Sequence, residues 1–79
     1  MIAMGVSAFV LIMAKRSKEG KVLEKIREIT EVKQAHLVYG EYDIVMEILA
    51  DSLDELNNVM LKKLRGVSEI EATNTLIAI

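Results

Sequence analysis

The sequence predicts an α+β domain whose strands and helices follow the order β-α-β-β-α-β, with four strands in one antiparallel sheet and both helices on one of its faces. Three observations predict it. Two segments with helical periodicity are each flanked by strand-like segments. A Gly–Glu pair at 40–41 joins the two halves. No proline and no low-complexity tract marks a linker within the 79 residues, so residues 1–79 read as one domain.

The first strand lies in Ile2–Ala14, apolar for thirteen residues. That run is shorter than the about 20 residues a membrane-spanning helix needs. It lacks a basic stretch ahead of it, and Lys15–Arg16 follow without a cleavage signal, so it is not read as a targeting segment. The default expectation is a cytoplasmic protein. From Val6 on, Val6, Ala8, Val10 and Ile12 alternate with Phe9, Leu11 and Met13, and both faces are apolar. Such a strand needs a layer over each face.

In SKEGKVLEKIREIT, Val22, Ile26 and Ile29 recur at helical spacing with Leu23 beside them, and Ser17 is positioned as the N-cap. Val32–Tyr39 reads as the second strand and Tyr42–Leu49 as the third, joined by a two-residue type II′ turn at Gly40–Glu41. Ser52 and Glu55 form a capping box. The helix behind it aligns Leu53, Leu56, Met60 and Leu64, with Val59 alongside, and Gly66 ends it. Ile70–Ile79 closes the chain as the fourth strand. This order suggests the ferredoxin-like architecture, with right-handed crossovers placing the first and third strands in the middle.

A domain this small buries only about 60–65% of its unfolded surface. With no cysteine and one histidine, neither disulfides nor a zinc site can supplement the core. The 52% hydrophobic content and the mean hydropathy of +0.30 point to self-association instead. The sheet face away from the helices is expected to pack on a second copy. The net charge of −2 disfavours direct nucleic-acid binding. The basic cluster Ala14–Lys21 reads as a solvated loop and first helical turn.

Catalytic signatures are missing: no Ser–His–acid order, no phosphate loop, no HExxH. His36 reads as a packed or exposed strand residue. Asp43 and Glu47 share a strand face about 13 Å apart, too far for a carboxylate pair. The informative stretch is Tyr39-Gly-Glu-Tyr-Asp43, holding two of the three aromatic residues. Structurally, Gly40 satisfies the turn, Tyr39 and Tyr42 pair across it, and Asp43 accepts backbone donors. Functionally, turn amides can hold a carboxylate, Asp43 or Glu41 an ammonium, and the Thr73 and Thr75 hydroxyls can complete a polar site for a small zwitterion. The local residues support both readings.

The Gly-acidic-Tyr-Asp turn at 40–43, together with Ile70, Thr73 and Thr75 near the C-terminus, resembles the RAM domain of the Lrp/AsnC (feast/famine) transcriptional regulators. The resemblance covers nearly the whole chain, without the helix-turn-helix half that normally precedes it, and is nearest to archaeal stand-alone RAM proteins. It implies dimers formed through sheet faces, assembling into rings of eight or ten. It also implies an amino-acid effector bound between dimers by Gly40, Glu41, Tyr42 and Asp43, with Thr73 and Thr75 as polar partners and Tyr39 and Asn74 by adjacency. Ser68–Glu69 stand where many members carry Pro-Gly. The expected function is a non-enzymatic sensor that needs no cofactor, metal or membrane and co-assembles with full-length regulators. A small dimeric enzyme of monooxygenase or isomerase type, with His36 in a helix–sheet cavity, and an effector-free structural oligomer are the alternatives.

Overall fold

A computed structural model describes residues 5–78. Its elements are β1 (Val6–Ala14), α1 (Glu19–Ile26), β2 (Val32–Leu37), β3 (Ile44–Ala50), α2 (Leu53–Asn58) continuing as a π-helical stretch (Val59–Leu64), and β4 (Ile70–Ala78). The sheet order is β2-β3-β1-β4, every pairing antiparallel, so β1 and β3 are central as expected. The part of the predicted first strand at residues 2–4 lies outside the described residues.

Period-two alternation divides β1 cleanly. Ala8, Val10 and Ile12 are wholly buried under the helices together with Val22, Ile26, Ile44, Met46, Ile48, Leu56, Val59 and Leu64, one continuous core. Phe9 and Met13 face away and stay 40% and 38% exposed on the single chain. Register places Leu76 opposite Phe9, Asn74 opposite Leu11 and Ala72 opposite Met13 on that second face. Val45 and Glu47 lie beside Leu11 and Phe9 on the same side. The uncovered face is thus largely apolar with Glu47 set within it, and β1 is buried on one face only within the single chain.

Two helix ends differ from expectation. Ser17 is not the N-cap of α1. It adopts a left-handed backbone (φ 64°) in a turn closed by Lys18 N–H donating to the Lys15 carbonyl, and the helix starts at Glu19 without a side-chain cap. Gly66 follows the second helix without left-handed backbone, since Gly40 is the positive-φ glycine among the described residues. Ser52 caps the second helix as expected, while Glu55 reaches back one residue beyond the cap. Glu55 N–H donates to Ser52 Oγ at 3.1 Å, and Glu55 Oε1 accepts from the Asp51 amide at 2.6 Å.

The π-helical stretch has a sequence cause. From Leu56 and Val59, an uninterrupted α-helix would next bring Lys63 onto the buried face. The i→i+5 winding carries Leu64 there instead, and Lys63 turns outward to pair with Glu31 at 2.8 Å. Met60 stays half-buried at the edge of the core, and Leu53, expected on the buried stripe, lies 50% exposed at the helix start.

Candidate functional site

The connection between β2 and β3 is wider than a two-residue turn. Both strands stop short, and residues 38–43 form a loop closed by Val38 N–H donating to the Asp43 carbonyl at 2.9 Å. The reason lies in Asp43. Its amide donates to the Ile12 carbonyl at 2.9 Å, and its Oδ2 accepts the Ala14 amide at 2.8 Å. A carboxylate thus replaces the carbonyl that the β1–β3 ladder no longer supplies. Gly40 has φ 144°, and a Cβ there would meet nothing within 4 Å, so the backbone angle rather than space requires glycine.

The loop's ends are therefore fixed while its middle is free. Among the described residues, the amides of Tyr39, Gly40, Glu41 and Tyr42 meet no protein acceptor. Tyr39 stands wholly in solvent (107% exposed), so it does not pack across the loop on Tyr42 as expected. Tyr42 is half-buried, and its hydroxyl meets Asn74 Nδ2 at 3.4 Å, a long contact that links loop to β4.

Register separates the three polar residues of β4. Thr73 and Thr75 lie opposite Ile12 and Val10, on the helix side, while Asn74 lies opposite Leu11 on the uncovered side. Asn74 is thus the β4 residue that reaches the loop. Thr73 instead lines a groove of about 360 Å³ between the π-helical stretch and the start of β4, walled by Met60, Leu64, Arg65 and Glu71. Sequence reasoning missed this groove, because the winding that shapes it departs from α-periodicity.

His36 lies on the uncovered sheet face, where its Nε2 is 3.2 Å from Gln34 Oε1, and Gln34 Nε2 donates to Glu47 Oε1 at 2.8 Å. It does not line the helix–sheet groove, which leaves the enzymatic alternative without the residue it named. Among the described residues, no acidic, histidine or cysteine cluster has the form of a metal site, and no helix is long and apolar enough to cross a membrane.

Two carboxylates are held below the ordinary value near 4.5. A hydrogen bond from Lys63 lowers Glu31, and one from Lys25 lowers Glu69. Glu69 occupies one of the two positions where Pro-Gly was expected from relatives. Its side chain pairs with Lys25 of α1 at 2.9 Å, and its carbonyl accepts the Lys15 amide at 2.8 Å, tying the entry of β4 to α1 and the end of β1.

Residues 7–79 match the Lrp/AsnC ligand binding domain. The regulatory protein AsnC of Escherichia coli K12 is 32% identical over 75 residues, 94% of this chain and 49% of AsnC. The chain spans about half the length of the curated relatives it matches. The crystal structure of FFRP-DM1 superposes with a TM-score of 0.90 at 42% identity, covering 94% of this chain and 99% of that one. A hypothetical protein from Pyrococcus horikoshii, PHS023, gives 0.89 at 42% identity, covering 94% and 89%. The extent of the family match and the identity to AsnC lead to one assignment: the chain belongs to the Lrp/AsnC family, matching the ligand-binding domain of its transcriptional regulators.

Proposed function

We propose that this domain is a non-enzymatic amino-acid sensor whose effector binds at the 38–43 loop and shifts the state of assembly. The observation that carries the proposal is a loop fixed at both ends with its central amides unpaired. Successive turn N–H groups without a protein acceptor among the described residues suit a carboxylate. Glu41, exposed beside them, and the second oxygen of Asp43 suit an ammonium. Tyr39, Gly40 and Tyr42 complete the loop, and Asn74 joins it through Tyr42. Thr73 and Thr75 face the other side of β4 and would serve an effector only through a neighbouring subunit or from the helix side.

Assembly belongs to the same reading. Phe9, Leu11, Met13, Val45 and Leu76 form an apolar face that a second copy would cover, giving a dimer from which rings of eight or ten subunits are built. An effector seated between dimers favours the arrangement it binds better, by its differential affinity alone. Mixed assemblies with full-length regulators through this face would carry the effector signal to DNA.

The test is calorimetric titration with each amino acid beside light scattering. Saturable heat accompanied by a change in assembly mass is expected. Asp43→Asn, which keeps an oxygen for the Ala14 amide while removing the charge, should weaken binding about tenfold or more, the equivalent of one charge-assisted hydrogen bond. No heat from any amino acid, at constant mass, would overturn the proposal. Co-assembly fails separately if a tagged full-length relative exchanges no subunits with this chain.

A further inference from the structure

We propose that Tyr42 couples the 38–43 loop to the uncovered sheet face. Its side chain crosses β1 on that face and its hydroxyl pairs with Asn74, so closure of the face by a second copy and the position of the loop form one linked equilibrium. The inference deepens the sensor reading and rests on its assembly part, not on which effector the loop takes.

The path of the side chain follows from the topology. Tyr42 precedes Ile44, the first residue of β3, while Asn74 belongs to β4, and β1 lies between those two strands. Two strand spacings, about 10 Å, separate β3 from β4. Tyr42 Oη nevertheless accepts from Asn74 Nδ2 at 3.4 Å, so the phenol reaches over β1. Register fixes the side on which it does so. Asn74 lies opposite Leu11, which shares the uncovered face with Phe9 and Met13. The base of the side chain is held as well, because the next residue, Asp43, donates its amide to the Ile12 carbonyl and accepts the Ala14 amide. Among residues 39–42, Tyr42 is half-buried while Tyr39, Gly40 and Glu41 are exposed.

The chemistry of the pair gives it a duty on this face. There β4 contributes Ala72, Asn74 and Leu76, so a carboxamide interrupts an apolar row. A contact of 3.4 Å between a phenol and an exposed amide is long, and water competes with it while the face is open. A second copy laid over the face removes that water. Each group then costs its desolvation unless the other satisfies it, so the face closes best with the pair made. A loop displaced from this position leaves the Asn74 amide unpaired in the closed face. An effector on the neighbouring loop amides therefore changes closure by whatever it does to Tyr42, and closure changes its affinity by the same factor.

The coupling is tested without any effector. Assemblies of light and of isotopically heavy protein are mixed, and native mass spectrometry follows those holding odd numbers of heavy subunits, which form only when sheet faces open. Tyr42→Phe and Asn74→Ala each leave one partner unpaired and should each speed this exchange about tenfold. The double variant has neither group to satisfy and should exchange no faster than either single, whereas independent side chains would multiply to about a hundredfold. Opening the face by Phe9→Asp should shift the amide resonances of Glu41 and Tyr42, and that shift should vanish in an Asn74→Ala background. Single variants that exchange at the parent rate, a double variant that multiplies them, or loop resonances indifferent to the opening each overturn the proposal. So does a parent protein that remains a single subunit. Exchange results as expected, with no heat from any amino acid, would remove the sensor reading and leave the coupling standing.

Discussion

At the scale of single residues, Asp43 and Gly40 have separable duties in one loop. Asp43 supplies an oxygen to the Ala14 amide, at the point where β1 leaves the β3 ladder. Asp43→Ala leaves that part-buried donor unpaired and should cost about 1–3 kcal/mol, whereas Asp43→Asn keeps an acceptor and should cost clearly less. Urea unfolding of the two variants checks the order, and equal losses would show that charge, not the acceptor, matters there. Gly40→Ala meets no atom but must hold φ near 144°, so a loss of about 1–2 kcal/mol is expected without any change in the core. The glycine was legible in the sequence, because a Gly-acidic pair between two apolar runs asks for positive φ. The length of the loop was not. It depends on an aspartate side chain reaching a different strand, 29 residues away in sequence.

At the scale of elements, the order and type of all six segments followed from periodicity, and misses arose where two groups competed for one place. The stripe Leu53, Leu56, Met60, Leu64 fits an α-helix as written. Only against the core does it matter that Lys63, not Leu64, would follow Leu56 and Val59 inward, and π winding resolves that conflict. The split of Thr73 and Thr75 from Asn74 needed nothing beyond period two and was available from the sequence alone. The ion pairs that join elements set the acid response. Glu31 and Glu69 have folded values below their unfolded ones, so the ionised forms are favoured on folding. Their stabilisation is present above the unfolded value near 4.5 and is lost as pH falls through the lower folded values. Both pairs are solvent-screened and the effect is modest. Thermal unfolding of Glu69→Gln and Glu31→Gln should show a shallower fall in Tm below about pH 4.5 than the parent protein, and parallel curves would assign the acid loss to other carboxylates.

At the scale of the whole molecule, one sheet serves two masters. Its helix side is closed by the chain's own core, while its other side presents Phe9, Leu11, Met13, Val45 and Leu76 around Glu47. Phe9, 40% exposed, lies on the central strand β1 opposite Leu76 of β4, so a charge placed at Phe9 falls within the patch rather than at its rim. Glu47 is tolerated there because Gln34 donates to it, leaving the apolar part of the face continuous along Phe9, Leu11 and Met13 of β1. If a second copy closes this face, Phe9→Asp should leave the helix-side core intact and the far-ultraviolet dichroism unchanged, since Phe9 contributes nothing to that core. The same change would bury an unpaired carboxylate between subunits, a cost of several kcal/mol that a marginal interface cannot absorb. Light scattering should then report single subunits where the parent protein reports a multiple. An effector seated between dimers should then be lost together with the assembly. An unchanged mass for Phe9→Asp would move the assembly to another surface and leave the apolar face to be explained by a different partner.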